Sequence, residues 1–148
     1  MEMKEPLLIS ACLLGLACRY DGRSVPLDAA ALDKLKERWS LVPVCPEQLG
    51  GLPTPRPPAE RKCGGVFTES GADVTAQYAR GAGESVRLAA FFGCKTALLK
   101  ARSPSCGSGE IYDGSFTGTR VPGDGVTAET LKTTGIAVYT EDELNKLL

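Results

Sequence analysis

Histidine is absent from the 148-residue sequence. Its absence excludes the Cys-His and Ser-His pairs of nucleophilic enzymes and every metal site that needs an imidazole ligand. Any metal would be held by cysteine or carboxylate, and any proton transfer would use a carboxylate, lysine, tyrosine, cysteine, a chain terminus or water. The chemistry of the protein is therefore expected to rest on its six cysteines and its acidic residues.

Long apolar runs and a strong net charge are also missing. No stretch approaches the roughly 18 apolar residues of a membrane-spanning helix, and the start of the chain lacks the positive region and apolar core of an export signal. The formal net charge of -1 argues against nucleic acid or an anionic membrane as the main partner. We expect a cytoplasmic protein with reduced thiols, a monomer or weak homo-oligomer that binds a small molecule.

Four short apolar stretches alternate with helical patterns along the chain. The predicted strands are 7–10, 41–44, 96–100 and 136–139, and the predicted helices are 27–38, 75–92, 125–134 and a terminal helix after Thr140. Continuous apolar strands that alternate with helices are typical of a parallel sheet covered on both faces. The predicted fold is α/β: one domain over residues 1–148, a three-layer sandwich with a mainly parallel, Rossmann-like sheet and a site at the carboxyl edge of its strands.

The segments between these elements are rich in turn-forming residues. Val66-Phe67-Thr68 is expected to pair with Asp73-Val74 in a small hairpin, and residues 111–116 indicate another turn or hairpin. Residues 50–58 contain too many prolines for regular structure and predict a stiff, extended loop. This loop follows Glu47 closely, so its stiffness is suited to aiming Arg56 at a ligand.

Three cysteines, Cys12, Cys45 and Cys106, each follow one of the predicted strands. Because the carboxyl ends of parallel strands meet at one edge of a sheet, we expect these three thiols to converge. No pair has the Cys-x2-Cys spacing, which removes the usual support for zinc ribbons and thioredoxin-type redox pairs. Three thiolates without histidine suit an iron-sulfur cluster, with zinc as the competing occupant.

The other three cysteines carry weaker signals. Cys94, at the end of a helical pattern, is expected to be a small buried hydrophobe, and Cys63 is expected to have no role. Cys18 stays open as a possible further ligand.

Polar residues accompany the thiols at the predicted edge. Glu47 is placed to act as an acid or base, and Ser103 and Ser105 are placed to donate hydrogen bonds. Together with Arg56, Ser105 is a candidate for binding substrate.

Several motifs together resemble a bacterial family that includes the iron-sulfur-dependent thiouracil desulfidases. The similarity spans nearly the whole chain, and its motifs are Ser10-Ala11-Cys12-Leu13-Leu14-Gly15, Cys18-Arg19-Tyr20-Asp21-Gly22, Pro43-Val44-Cys45-Pro46-Glu47, Gly50-Gly51-Leu52-Pro53, Pro55-Arg56-Pro57-Pro58, 100–109 and 123–128.

The resemblance implies a cofactor, a substrate class and site residues. The cofactor would be a 4Fe-4S cluster held by Cys12, Cys45 and Cys106, with one open iron that takes sulfur from a thiolated pyrimidine such as thiouracil or a thiouridine nucleotide. Glu47 and Ser103 would be catalytic and would move protons while water replaces sulfur in this non-redox, hydrolase-type reaction.

Two other classes of protein remain open at this point. A zinc-bound or metal-free nucleotide-binding module would also carry loops at a parallel-sheet edge, with Arg56 or Arg19 pairing with a phosphate. It would bind nucleotides without releasing sulfide. A thiol redox protein would need a reactive, low-pKa pair such as Cys12 and Cys18, and the missing Cys-x2-Cys spacing disfavours it.

Overall fold

A four-stranded parallel sheet forms the centre of the protein, whose computed structural model describes residues 3–148. In chain order the strands are β1 (Glu5–Ser10), β2 (Trp39–Val44), β3 (Ala59–Lys62), β4 (Gly65–Thr68), β5 (Thr96–Leu99), β6 (Glu110–Tyr112), β7 (Arg120–Pro122) and β8 (Ala137–Thr140). The helices are α1 (Ala29–Arg38), α2 (Pro46–Leu49), α3 (Thr75–Phe92) and α4 (Val126–Thr133), with 3-10 helices at Ala11–Leu14 and Glu141–Leu147. The central sheet has the order β2-β1-β5-β8, and every neighbouring pair is parallel.

Both faces of this sheet are covered, which confirms the predicted three-layer α/β architecture. Leu7 and Ile9 of β1 pack in one apolar cluster with Leu35 of α1. Leu8, which points to the opposite face because side chains alternate along a strand, packs in a second cluster with residues of α3 and α4, including Leu131. The continuous apolar runs in the sequence arise because the central strands are buried on both sides.

The strand order sets the location of the site. From β1 the chain crosses first to β2 on one side and later to β5 on the other side. The order therefore reverses between β1 and β5, which is the position where open α/β sheets bind ligands beyond the carboxyl ends of their strands. The ends of β1, β2 and β5 lie next to one another, since Ser10 is opposite Val44 and Ile9 is opposite Leu98.

Helices α2 and α3 approach each other closely through two glycines. A Cβ on Gly81 would lie 2.0 Å from the carbonyl oxygen of Pro46, and a Cβ on Gly50 would lie 2.0 Å from that of Gln77. Gly83, two residues further along α3 and on its exposed side, faces open space. Gly81 interrupts the helical pattern in the sequence because it lets the backbone of α2 dock on α3.

The predicted pairing of residues 66–68 with Asp73 and Val74 is present as a short antiparallel bridge: Phe67 pairs with Asp73, and the backbone N–H of Val74 donates to the carbonyl oxygen of Val66 at 2.9 Å. The sequence did not predict β3, which pairs with β4 along its whole length. The carboxylate of Asp73 accepts a hydrogen bond from the backbone N–H of Thr75 at 2.9 Å and so turns the chain into α3. The turn predicted near residues 111–116 is part of a hairpin formed by β6 and β7. Within residues 3–148, no helix has the length and apolar character needed to cross a membrane.

Candidate active site

A cavity of about 610 Å³ lies at the carboxyl edge of the central sheet. Its size is within the range of small-molecule sites. The residues that line it include Cys12, Cys45, Cys106, Glu47 and Ser103. Each thiol follows a different parallel strand, so the topology of the sheet brings together residues that are far apart in sequence.

Cys106 is the most enclosed of these thiols. Its sulfur accepts hydrogen bonds from the hydroxyls of Ser10 at 3.4 Å and Ser105 at 3.6 Å. Burial raises the pKa of Cys106 far above its ordinary value, Glu47 raises it further, and the two hydroxyls act in the opposite direction. Hydroxyl donors directed at a buried sulfur are suited to a thiolate that ligates a metal, because hydrogen bonds to sulfur tune iron-sulfur sites.

Cys12 and Cys18 are buried thiols with raised pKa values. Burial raises the pKa of Cys12 to about 11, against the opposing charge of Lys100. Burial, with the nearby Cys45, raises the pKa of Cys18 to about 12. A reactive redox pair needs a lowered pKa, so the raised pKa values of Cys12 and Cys18 disfavour the thiol redox alternative.

Glu47 is held next to a thiol by the start of α2. Pro46 at the first helical position ends the β2 backbone pairing and begins the helix. The Glu47 carboxylate accepts a hydrogen bond from the Tyr78 hydroxyl at 3.4 Å and lies 3.4 Å from Nη2 of Arg56. The sulfur of Cys45 is 4.0 Å from the same carboxylate. The carboxylate is thus fixed by two partners at the wall of the cavity.

Arg56 lines the cavity, but its guanidinium already has partners. Nη2 donates to the carbonyl oxygen of Cys18 at 2.9 Å, and Nη1 donates to the carbonyl oxygen of Pro53 at 3.2 Å and the hydroxyl of Thr54 at 3.0 Å. Its side chain is only 4% exposed. Arg56 therefore ties the stiff loop to Glu47 and to the Cys18 loop, and it lines the cavity as the sequence analysis expected for a ligand-directed residue.

Ser103 and Ser105 form a relay of hydroxyls that leads to Cys106. The Ser103 oxygen accepts the backbone N–H groups of Ser105 at 3.1 Å and Cys106 at 3.0 Å. Because both of its lone pairs are used, Ser103 is the donor in its 3.0 Å contact with the Ser105 hydroxyl. Ser105 is fully buried and is not among the residues that line the cavity. Its position behind Cys106 differs from the substrate contact expected for it.

The structure also brings three residues to the site that the sequence did not single out. Ser10 contacts Cys106, Tyr78 contacts Glu47, and Lys100 lines the cavity while its ammonium pairs with Glu141 at 2.8 Å. Ser10 and Lys100 are the last residues of two predicted strands, so the strand pattern already placed them at the edge of the sheet where the site was expected. Tyr78 lies within the long helix α3, where the pattern indicates only a buried face.

The arrangement of donors bears on what kind of metal site the protein can hold. Among residues 3–148, no three cysteine or carboxylate side chains gather closely enough to hold a single metal ion, which disfavours a mononuclear zinc site. An iron-sulfur cluster binds each cysteine at a different iron and so separates its ligands by its own width. Cys12, Cys18, Cys45 and Cys106 all line the cavity, so three thiols distributed around it are available to fit such a cluster. The other two cysteines, Cys63 and Cys94, do not line the cavity.

Comparison with known proteins identifies the class to which this thiol-lined α/β fold belongs. The model of the 2-thiouracil desulfurase family matches residues 7–143, and the chain belongs to this family. It is 41% identical to YbbK of Bacillus subtilis (strain 168) over 152 aligned positions, which cover 96% of this chain and 99% of YbbK. The solved structure of the [4Fe-4S]-dependent thiouracil desulfidase TudS superposes with a TM-score of 0.92 at 50% identity, covering 97% of this chain and 95% of TudS. These findings confirm the family resemblance and the fold.

Proposed function

We propose that the protein is an iron-sulfur-dependent desulfidase that converts a thiolated pyrimidine, such as thiouracil or a thiouridine nucleotide, to its oxo form and sulfide. The observation that carries this proposal is the convergence of three thiols, a fixed carboxylate and a serine hydroxyl on one cavity. The similarity to TudS supports it. Water provides the oxygen that replaces sulfur on the ring carbon, and its two protons leave with the sulfide, so the reaction needs no oxidant or reductant.

Cys12, Cys45 and Cys106 are the proposed ligands of a 4Fe-4S cluster with one open iron. When bound, the cluster supplies a Lewis acid that accepts the sulfur of the substrate. Ser10 and Ser105 support the ligand role of Cys106, since their hydroxyls donate to its sulfur. Cys18 stays a possible further thiol of the site, because it is buried beside Cys45 and lines the same cavity.

Glu47 is proposed to take a proton from the water that attacks the ring carbon. A positioned carboxylate is suited to this role because it acts within hydrogen-bond reach of the water. The Tyr78 hydroxyl and the Arg56 guanidinium hold the Glu47 oxygens in place. Arg56 is thus proposed to position Glu47 for this step and to contribute to substrate binding as part of the cavity wall.

Ser103 is proposed to donate a proton to the substrate during the reaction. Its oxygen already accepts two backbone N–H groups, so its hydroxyl hydrogen is available only for donation. A substrate atom in the cavity competes with the Ser105 hydroxyl for this hydrogen. Two amides that donate to one oxygen also stabilise negative charge on it, which makes the proton easier to release.

The proposed setting is a reducing cytoplasm, in which a single domain over residues 1–148 acts as a monomer or weak homo-oligomer on a small molecule. All six cysteines are free thiols, which agrees with a compartment where disulfides are rare.

The decisive experiment is anaerobic reconstitution with iron and sulfide, followed by an assay of sulfide release from 2-thiouracil and thiouridine monophosphate on the same sample. We expect bound iron and acid-labile sulfide together with turnover. The variant Cys94→Ser is the matched control, because Cys94 is buried outside the cavity and should retain both properties. A protein that binds nucleotides but neither assembles a cluster nor releases sulfide would favour the nucleotide-binding alternative.

A further inference from the structure

Part of the cavity wall is built by two antiparallel hairpins that do not belong to the central sheet. The β3–β4 hairpin contributes Glu60, and the β6–β7 hairpin contributes Tyr112, Phe116 and Gly118. Between β6 and β7, residues 113–119 read Asp-Gly-Ser-Phe-Thr-Gly-Thr. Phe116 is the only large apolar side chain in this polar turn, so we expect its ring to contact an apolar or aromatic group of a ligand.

The turn that carries Phe116 is fixed to the neighbouring hairpin. One carboxylate oxygen of Glu60 accepts the backbone N–H of Gly114 at 3.0 Å and that of Phe116 at 3.2 Å. A Cβ on Gly114 would lie 2.8 Å from the backbone carbonyl oxygen of Arg61, so the two hairpins approach each other closely at this glycine. The position of Phe116 relative to β3 is therefore set by this close approach and by two charge-assisted hydrogen bonds.

Phe116 also adopts an unfavourable backbone conformation. Its φ is 58°, in the left-handed region that bulky side chains rarely occupy. Residues held in such regions cluster at ligand sites, where the surrounding structure enforces them. Glycine or asparagine would fit this turn with less strain. The phenylalanine at this position therefore lowers the stability of the protein, and we expect it to contribute to ligand binding.

The other aromatic residues of the cavity have different environments. The Tyr78 hydroxyl is directed to Glu47, Tyr20 is 42% exposed at the rim, and Tyr112 is a half-buried residue of β6 whose ring carries a polar hydroxyl. Phe116 is half-buried and has no polar atom on its side chain, so it offers a ligand only the face or edge of its ring. Flat heteroaromatic rings stack on such side chains whatever their polar substituents.

We propose that Phe116 is a specificity-determining residue on which the pyrimidine ring of the substrate stacks, and that Glu60 is the positioning residue that holds it there. This inference rests on the proposed function, because it takes the substrate to be a thiolated pyrimidine. The thiols and Glu47 act on the sulfur and its ring carbon. Phe116 holds the plane of the ring, so that the sulfur is presented to the thiol-lined part of the cavity.

The test compares Phe116→Asn and Phe116→Tyr with the control Phe91→Asn, whose phenylalanine is 83% exposed on α3 and does not line the cavity. Each anaerobically reconstituted protein is assayed for KM and kcat of sulfide release from 2-thiouracil, iron content and thermal midpoint. The dissociation constant of uracil is measured for each cluster-free protein. Because asparagine tolerates the left-handed region, a lowered midpoint is not expected for Phe116→Asn.

We expect Phe116→Asn to raise KM and the uracil dissociation constant by about 5- to 150-fold, the usual range for loss of one base-aromatic stack, with kcat and iron content unchanged. Phe116→Tyr, which keeps the ring, and Phe91→Asn should behave like the wild-type protein. Unchanged KM and uracil affinity in Phe116→Asn would overturn the proposal, and so would a fall in kcat and iron content with no change in KM.

The uracil titration separates this inference from the proposed function. If the wild-type protein released no sulfide but Phe116→Asn still bound uracil several times more weakly, the stacking role would stand and the desulfidase function would fail. If the wild-type protein released sulfide and both proteins bound uracil equally, the function would stand and the stacking role would fail.

Discussion

Two regions of the protein meet at the same cavity, yet they are held by different interactions. The thiol edge consists of Cys12, Cys45 and Cys106, and the hairpin wall consists of Glu60 and Phe116. Cys12, Cys45 and Cys106 follow three adjacent strands of the buried central sheet. Phe116, by contrast, depends on one carboxylate of the neighbouring hairpin. The proposed catalytic groups are thus attached to the buried central sheet, whereas the proposed substrate contact is attached to a hairpin outside that sheet.

The sharpest test of the thiol edge is Cys106→Ser. Serine removes the sulfur that receives two hydroxyl donors, so we expect loss of bound iron. Changing a residue that only hydrogen-bonds to a metal ligand costs up to roughly 100-fold in activity, and because Cys106 is itself a proposed ligand, we expect sulfide release to fall by more than that. Iron analysis and the sulfide assay check this. Cys63→Ser is the control, because Cys63 is exposed and outside the cavity. Equal iron content in both variants would remove Cys106 from the ligand set.

The same edge is tested without loss of the metal site by Glu47→Gln. The amide keeps the shape of the carboxylate but cannot accept a proton from water, so we expect kcat to fall by about 10²- to 10⁴-fold with iron content unchanged. Glu69→Gln is the matched control, since Glu69 is an exposed carboxylate that lines the same cavity. Full turnover by Glu47→Gln would refute the proposed proton transfer.

The helix contact behind Glu47 is tested by a pair of glycines. In Gly81→Ala the new Cβ would lie 2.0 Å from the Pro46 carbonyl oxygen, so α2 has to move and we expect a loss of about 1–3 kcal/mol in the free energy of unfolding. Gly83→Ala faces open space and should gain about 0.5–1 kcal/mol. Urea unfolding of the two variants measures both values, and equal stabilisation would contradict the close packing of α2 on α3.

The smallest expected effect concerns the hairpin wall. Glu60→Ala removes the acceptor of the Gly114 and Phe116 N–H groups, and we expect KM to rise by about 5-fold, equivalent to one net hydrogen bond, with kcat unchanged. Glu60→Gln keeps an oxygen acceptor at this position and should stay near the wild-type KM. A larger effect on kcat than on KM would mean that the hairpin supports the thiol edge instead of the substrate.

The sequence predicted the parts of the protein whose patterns reflect burial. The helix predicted over 75–92 coincides with α3, and the four apolar runs coincide with the central strands to within two residues. Since strand ends meet at one edge, the convergence of Cys12, Cys45 and Cys106 followed from the same pattern.

Contacts between segments distant in sequence could not be predicted in this way. The pairing of β4 with β3 depends on which polar strand fits against it, and the charged residues 60–62 gave no strand signal. The partners of Arg56 and the placement of Ser105 behind Cys106 are set by hydrogen bonds that no periodicity encodes. Gly81 shows the limit most clearly, because a residue that weakens a helix locally is required by the backbone of another helix.

The proposed open iron is tested most directly by the Mössbauer spectrum of the anaerobically reconstituted protein, recorded with and without 2-thiouracil. A 4Fe-4S cluster held by three cysteines has three irons with a protein thiolate and one without. We expect one iron in four to be distinct and its signal to change when 2-thiouracil is added. A spectrum that shows four equivalent irons and does not respond to 2-thiouracil would contradict the open iron, and with it the proposed role of the three thiols.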